Sequence, residues 1–293
     1  LQALRIAHHA IMAGEGDAYV VCGVESVTRV GRGTHLATPN PRLDPAQSGE
    51  TVADAFIPMI DTAERVAERY DISRSEMDDY SQRSQERAVA AQRAGHLARE
   101  IVPVLTPSGW VSQDDGPRPT STREGLAALP ALRPPNGRVT AGSSSPLNDG
   151  AAAVLLLSLE RARALGLAPR ALIVTSGVSA LDPTMMGMGP VEAVRRALQH
   201  AGLTLDDIDI IELNEAFAAQ VIPVMREIGS DQDDPRLNGY GGAIALGHPF
   251  GMTGLRIMTT LLNRLEAEGG TLGLETMCVG GGQGQAMIVE RFE

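Results

Sequence analysis

Lysine is absent: all 25 basic residues of the 293-residue chain are arginine. A Walker-type phosphate lysine, a pyridoxal-phosphate lysine and any Schiff base supplied by this chain are thereby excluded. Aromatic residues make up only 3%, too few for the stacking platforms that hold single-stranded nucleic acid. Acidic residues outnumber basic ones, giving a formal net charge of -11 and a pI near 5.1. A general nucleic-acid or polyanion surface is therefore not expected, although a local arginine cluster could hold a phosphate. Cys22 and Cys278 are the only cysteines, and no Cys/His group has metal-ligand spacing. Neither a disulfide framework nor a metal site is expected, and a reducing, cytoplasmic setting is the natural one. No apolar run reaches the length of a membrane span, and Leu1-Gln2-Ala3-Leu4 lacks the layout of a signal peptide.

The length is enough for one large or two moderate domains with a sizeable core. Leu1, Leu4, Ala7 and Ile11 recur at helical spacing up to Gly14, and residues 18–24 then read as a buried strand. The same order returns near the C-terminus, where an amphipathic segment from Gly254 to Gly269 precedes a strand-like run over 272–277. Repetition of a helix-strand unit is what an internally duplicated α/β fold produces. Between Thr28 and Val139 the chain turns to Pro, Gly and charge-rich connections around two helices, the character of an insertion. Asp61 is expected to cap the first helix, through Tyr70; Ser73 and Glu76 have capping-box spacing for a longer one ending at Gly95. From Asp149 the α/β pattern resumes, with strands expected over 151–157, 171–176 and 208–213 and helices over 159–165 and 191–201.

Two glycine-rich segments each surround one chemically active side chain: Gly247-His248-Pro249 and Cys278-Val279-Gly280-Gly281-Gly282. Glycine permits close backbone approach, so the imidazole and the thiol could both meet a substrate and act as an acid/base pair. Upstream, Asn214-Glu215-Ala216-Phe217 lies between a hydrophobic strand and an apolar helix, which makes Asn214 both a site candidate and a possible helix cap. The other five histidines lie on helices or in polar loops and carry no assigned chemistry. Cys22, within Val20-Val21-Cys22-Gly23, reads as a packed small hydrophobe.

Asn-Glu-Ala-Phe, Gly-His-Pro and Cys-x-Gly-Gly-Gly, in this order and spacing, resemble the thiolase family along essentially the whole chain. Thr140-Ala141-Gly142, Asn148-Asp149-Gly150 and Met188-Gly189-Pro190 add to the resemblance. It implies a duplicated five-layer α-β-α-β-α fold with an inserted loop domain. The N-terminal domain would comprise 1–28 and 139–166, the loop domain 29–138 and the C-terminal domain 167–293. It further implies that His248 and Cys278 are catalytic, that Asn214 holds a water which with His248 forms one oxyanion hole, and that the backbone N–H of Gly280 contributes to a second. For coenzyme A it points to Ser145 beside the pantetheine arm, Ala216 and Phe217 along its wall, and Arg118 near the nucleotide end, where a solvated loop arginine is the alternative. Ser143 and Pro146 depart from the family's common asparagine and glycine. Met185, Met186 and Met188 could line an acyl pocket or fill core.

The activity implied is an acetyl-CoA C-acyltransferase that cleaves 3-ketoacyl-CoA with free coenzyme A, in fatty-acid or related β-oxidation. Coenzyme A would be a substrate rather than a permanently bound cofactor. Partners would be acyl-CoA, a second copy in a homodimer or homotetramer, and a β-oxidation partner subunit. Leu1-Gln2-Ala3-Leu4 is similar to the residues that follow the family's nucleophile motif, which places the attacking cysteine just before Leu1; the polypeptide from Leu1 alone is then expected to be silent. A ketoacyl synthase is disfavoured, because it uses two histidines where this chain has His248 and Cys278. A non-catalytic acyl-CoA-binding or scaffold protein is the alternative from another class.

Overall fold

The computed structural model describes residues 1–30, 40, 42 and 54–292. Helix α1 (Gln2–Met12) leads through a turn into strand β1 (Ala18–Glu25). Helices α2 (Met59–Arg69) and α3 (Arg74–Arg93) follow, then the hairpin strands β2 (Val104–Thr106) and β3 (Gly109–Val111) and helix α4 (Arg123–Ala127). The alternating part comprises β4 (Gly150–Leu157), α5 (Leu159–Ala164), β5 (Ala171–Ala180), α6 (Gly189–Ala201), β6 (Ile210–Leu213) and α7 (Ala218–Ile228). It closes with the short α8 (Ala243–Leu246), α9 (Thr253–Glu268), β7 (Leu272–Val279) and β8 (Gln283–Arg291).

Two sheets organise these elements. β1 pairs antiparallel with β4, and a four-stranded sheet runs β5-β8-β7-β6, with β6 parallel to β7 and the other pairs antiparallel. The two helix-strand units that repeat in the sequence meet in space: Leu4 and Ala7 of α1 pack with Leu255, Met258 and Leu261 of α9 between the sheets. On the far face of the four-stranded sheet, α6 and α7 bury Val194, Ala197, Val221 and Val224 against Ile211, Leu274 and Ile288. Sheet, helix pair, sheet and helix pair thus succeed one another, a layered α/β arrangement that leaves each helix a face to bury.

Residues 54–138 cover this body with α2, α3, the hairpin and α4. The carboxylate of Glu64 on α2 accepts the backbone N–H groups of Arg138 and Val139, at 2.9–3.0 Å, so the covering segment's exit is tied to its first helix. At α3 the capping box forms as expected: Glu76 N donates to Ser73 Oγ at 3.2 Å, and the Glu76 carboxylate receives Ser73 N at 2.8 Å.

Some expectations require correction. Helix α2 begins at Met59 with Pro58 at its N-cap, a position where the missing proline N–H leaves no donor orphaned; Asp61 lies in the first turn and binds Arg133 instead. Cys22 is not a packed hydrophobe, because the strand's alternation turns Val21 inward and leaves Cys22 exposed. Asn214 caps nothing, since α7 starts four residues later at Ala218. Strand β8 was not anticipated, and it is the strand that joins β5 to β7.

Two carboxylates interrupt the apolar pattern on β6 and β7. Glu212 is ion-paired with Arg264 of α9 at 2.9 Å, both side chains being 1% exposed. Glu275, opposite it across the strand pair, is fully buried, and neither of its oxygens has a partner among the described residues. Burial pushes its carboxyl up to about 8, against the opposing pull of positive charge that includes Arg256. Glu275 is therefore neutral in the fold at pH 7 but ionised in the unfolded chain, whose carboxyls titrate near 4.5. Its favourable contribution is complete below about pH 4.5 and is lost as pH rises towards 8. Glu275→Gln should raise the melting temperature at pH 8 and change it little at pH 4.5; parallel melting curves at both values would exclude a neutral buried acid.

Candidate active site

The parallel strands β6 and β7 end side by side, and open α/β sheets characteristically present ligands at such carboxyl ends. Asn214 follows β6 directly, its backbone N–H bonded to Thr276 O at 3.0 Å, and Cys278 lies two residues beyond Thr276. The asparagine's position is enforced from its outer side. Asn238 bonds both the N–H and the carbonyl of Leu213, each at 2.9 Å, so a side-chain amide substitutes for a neighbouring strand.

Glu215 is buried and anchors the adjoining turn. Its carboxylate accepts Tyr80 Oη and Ser84 Oγ of α3 at 2.7 Å each, Asn238 Nδ2 at 3.0 Å and Ile244 N at 3.1 Å. Several donors on one buried carboxylate replace the hydration it loses.

His248 is 9% exposed and is held from both sides of its ring. Nδ1 lies 2.8 Å from Thr253 Oγ1, and the Thr253 hydroxyl donates its proton to Pro249 O at 2.8 Å. Thr253 can then only accept from the ring, which assigns the proton to Nδ1 and the lone pair to Nε2. Asn214 Nδ2 sits 3.3 Å from that Nε2, while Asn214 Oδ1 is buried with no protein donor among the described residues. Burial, with a smaller contribution from Arg256, pushes the imidazole down to about 4. A neutral base with an available lone pair is the result.

The backbone around His248 is equally constrained. Asn148 Oδ1 accepts His248 N at 3.2 Å. Glycines allow β1 to touch this loop directly: a Cβ at Gly23 would stand 2.4 Å from Gly251 O, and one at Gly251 would stand 2.3 Å from Val24 O. The Phe250 ring lies edge-on to the imidazole, with centroids 4.9 Å apart.

Cys278 is 6% exposed, and burial pushes its thiol up to about 12, so it carries its proton at neutral pH. The turn after it runs through Gly281 and Gly282 at φ +83° and +80°, which a side chain would resist. A Cβ at Gly280 would meet nothing within 4 Å, so its backbone faces open space.

His248, Cys278, Gly280, Ser145, Ala216 and Phe217 all line one cavity of about 760 Å³. Asn214 lies behind His248 rather than on the wall. Ser145 N donates to Ala216 O at 3.0 Å, and Ser144 bridges Phe217, so this lip is extended backbone. Ser143 fits without an asparagine because it exchanges hydrogen bonds with Thr140. Arg118 is exposed and lies off the cavity wall; its backbone N–H is bonded to Gln85 Oε1 at 2.8 Å. Of the three methionines, Met186 lines the cavity and Met188 is core. Thr253 and the Glu215 anchor escaped the sequence, as did the exposed Cys22 on the cavity wall. No residue spacing announces a threonine's hydrogen bond or a contact from a distant helix. Among the described residues, no group of His, Cys, Asp and Glu could hold a metal ion, and no helix is long and apolar enough to cross a membrane.

Comparison with known proteins agrees with this architecture. The family model for the thiolase N-terminal domain matches residues 1–160, and that for the thiolase C-terminal domain matches residues 167–291. The chain belongs to the thiolase family. A 3-ketoacyl-CoA thiolase of Aeromonas hydrophila subsp. hydrophila is 46% identical, over 99% of this chain and 76% of the relative. A 3-ketoacyl-CoA thiolase of Saccharophagus degradans is 44% identical over 99% of this chain and 75% of the relative. A β-ketoadipyl-CoA thiolase of Escherichia coli is likewise 44% identical, over 99% and 77%.

The ring assignment is open to direct measurement by nitrogen NMR on His248. Between pH 5 and 8 the Nδ1–H tautomer should dominate, with protonation only as pH falls towards about 4. A midpoint near the ordinary 6.5, or a dominant Nε2–H form, would contradict the geometry.

Proposed function

We propose that the protein is a thiolase-type acyltransferase, cleaving 3-ketoacyl-CoA with coenzyme A to acetyl-CoA and a shortened acyl-CoA. The observation that carries this reading is a neutral imidazole whose Nε2 lone pair meets only the long 3.3 Å contact from Asn214 Nδ2, together with a protonated buried thiol on the wall of the same cavity. In this reading His248 Nε2 takes the proton of the attacking cysteine, which the family resemblance places ahead of Leu1. The resulting thiolate adds to the 3-keto carbon. The C2–C3 bond then breaks, leaving an acyl thioester on that cysteine, and the electron pair goes to C2 of the departing acetyl-CoA. Cys278 gives C2 its proton. Its thiolate then removes the proton of incoming coenzyme A, whose sulfur takes the acyl group and restores the cysteine.

The value of about 12 at Cys278 suits this role, because a thiolate that basic lies closer to a carbon acid than an ordinary one does. Asn214 and His248 would stabilise one oxyanion and the Gly280 N–H another; Asn214 Oδ1, buried with no donor among the described residues, supports a bound water there, since buried acceptors rarely remain unpaired. Ser145, Ala216 and Phe217 would contact pantetheine, with Arg118 further out towards the nucleotide. The reading includes a homodimer or homotetramer in the cytoplasm, a place in β-oxidation with a possible partner subunit, and the division into 1–28 with 139–166, 29–138 and 167–293.

Two variants of the complete protein test the assignment. His248→Ala should lower kcat/KM for thiolysis by several powers of ten, on the order of 10³ or more, through loss of base and oxyanion donor together. A folded variant within about tenfold of the parent would defeat the role. Cys278→Ser should still form acyl-enzyme from an acyl-CoA but lose exchange of the acetyl-CoA α-protons into deuterated solvent. Exchange at the parental rate would remove Cys278 from the mechanism.

A further inference from the structure

We infer that the acyl chain accepted in this cavity is uncharged and apolar at its far end, and that substrates ending in a carboxylate are rejected. The inference rests on the thiolase reading and specifies which 3-ketoacyl-CoA it applies to. Among the described residues that line the cavity there is no arginine, aspartate or glutamate side chain, although the chain contains 25 arginines. The walls are formed instead by Met59, Ile60, Leu132, Leu147, Met186 and Phe250.

The polar lining side chains are all uncharged, and two of them are already engaged. Gln285 Nε2 donates to Gln2 Oε1 at 2.8 Å, and Ser144 Oγ donates to Thr140 O at 2.6 Å. His248 and Cys278 are bound to the reaction in the proposed mechanism. Arg256, whose charge reaches His248, does not line the cavity, and its charge acts also on the carboxyl groups of Glu100, Asp114 and Glu212.

A terminal carboxylate entering such walls gives up its water and finds no counter-ion among the described lining residues. A methylene entering them gains about fourfold in binding, the equivalent of burying its apolar surface. The two kinds of name among the three relatives bracket the choice, since a β-ketoadipyl group ends in a carboxylate and an ordinary 3-ketoacyl group in a methyl.

The test holds the six-carbon acyl backbone fixed and changes its terminal group. The complete protein is assayed with 3-ketoadipyl-CoA, with its ω-methyl ester and with 3-ketohexanoyl-CoA. The ester and the hexanoyl substrate should both exceed the free acid in kcat/KM by at least about a hundredfold, the scale set by an unpaired polar group in an apolar site. In parallel, adipyl-CoA and hexanoyl-CoA, which lack the 3-keto group, are compared for binding by calorimetry. Tighter binding of hexanoyl-CoA with no turnover of any 3-ketoacyl-CoA would uphold the apolar cavity and remove the thiolase reading. Equal or better turnover of the free acid, or equal binding of adipyl-CoA, would overturn the inference itself.

Discussion

The carboxylate of Glu215 is the joint on which the site depends. A buried negative charge is tolerable only where donors converge on it, and here they arrive from three separate stretches of chain: Tyr80 and Ser84 on the covering helix, Asn238 beside β6, and the backbone of Ile244 ahead of the histidine loop. Because the charge must be satisfied from all of them at once, the position of α3, the end of β6 and the start of α8 are not independent. Asn214 precedes this anchor by one residue and inherits its fixed backbone. Gly242 shows how closely the parts fit, since a Cβ there would stand 2.2 Å from the Glu215 carboxyl carbon.

Burial then acts in opposite directions on the two reactive groups. It lowers the basicity of His248 and raises that of Cys278, so at neutral pH one is an unprotonated imidazole and the other a protonated thiol. One physical cause thus prepares complementary protonation states, without a charged neighbour bonded to either group. The Thr253 hydroxyl adds direction to the imidazole, since its own proton is committed to Pro249 O.

Much of this is legible in the amino-acid sequence. Helix α1 with β1 and helix α9 with β7 followed from apolar spacing and bounding glycines, and Ser73 with Glu76 marked the start of α3. His248, Cys278 and Asn214 stood out because active side chains sat among residues that clear space. What could not be read has definable causes. Strand β8 opens with Gln283-Gly284-Gln285, which has no apolar alternation, and its place in the sheet comes from pairing with β5 and β7. Glu212 and Glu275 occupy positions where a pattern reading expects aliphatic residues. Asp61 was a plausible cap, yet the proline three residues ahead of it, Pro58, fixed the earlier start. The exposure of Cys22 depended on strand phase, which one residue inverts.

The meeting of Gly23 with Gly251 has a bearing on how such a site can change over time. The strand that delivers Gly23 and the loop that carries His248 touch backbone to backbone, with no room for even one carbon between them. Selection at those two positions therefore acts on bulk alone, indifferent to polarity or charge, while the apolar side chains of the cavity wall, Met59, Ile60, Leu132 and Leu147 among them, can exchange for one another. Substrate preference is free to drift around an imidazole whose location is guarded by residues that contribute no chemistry of their own.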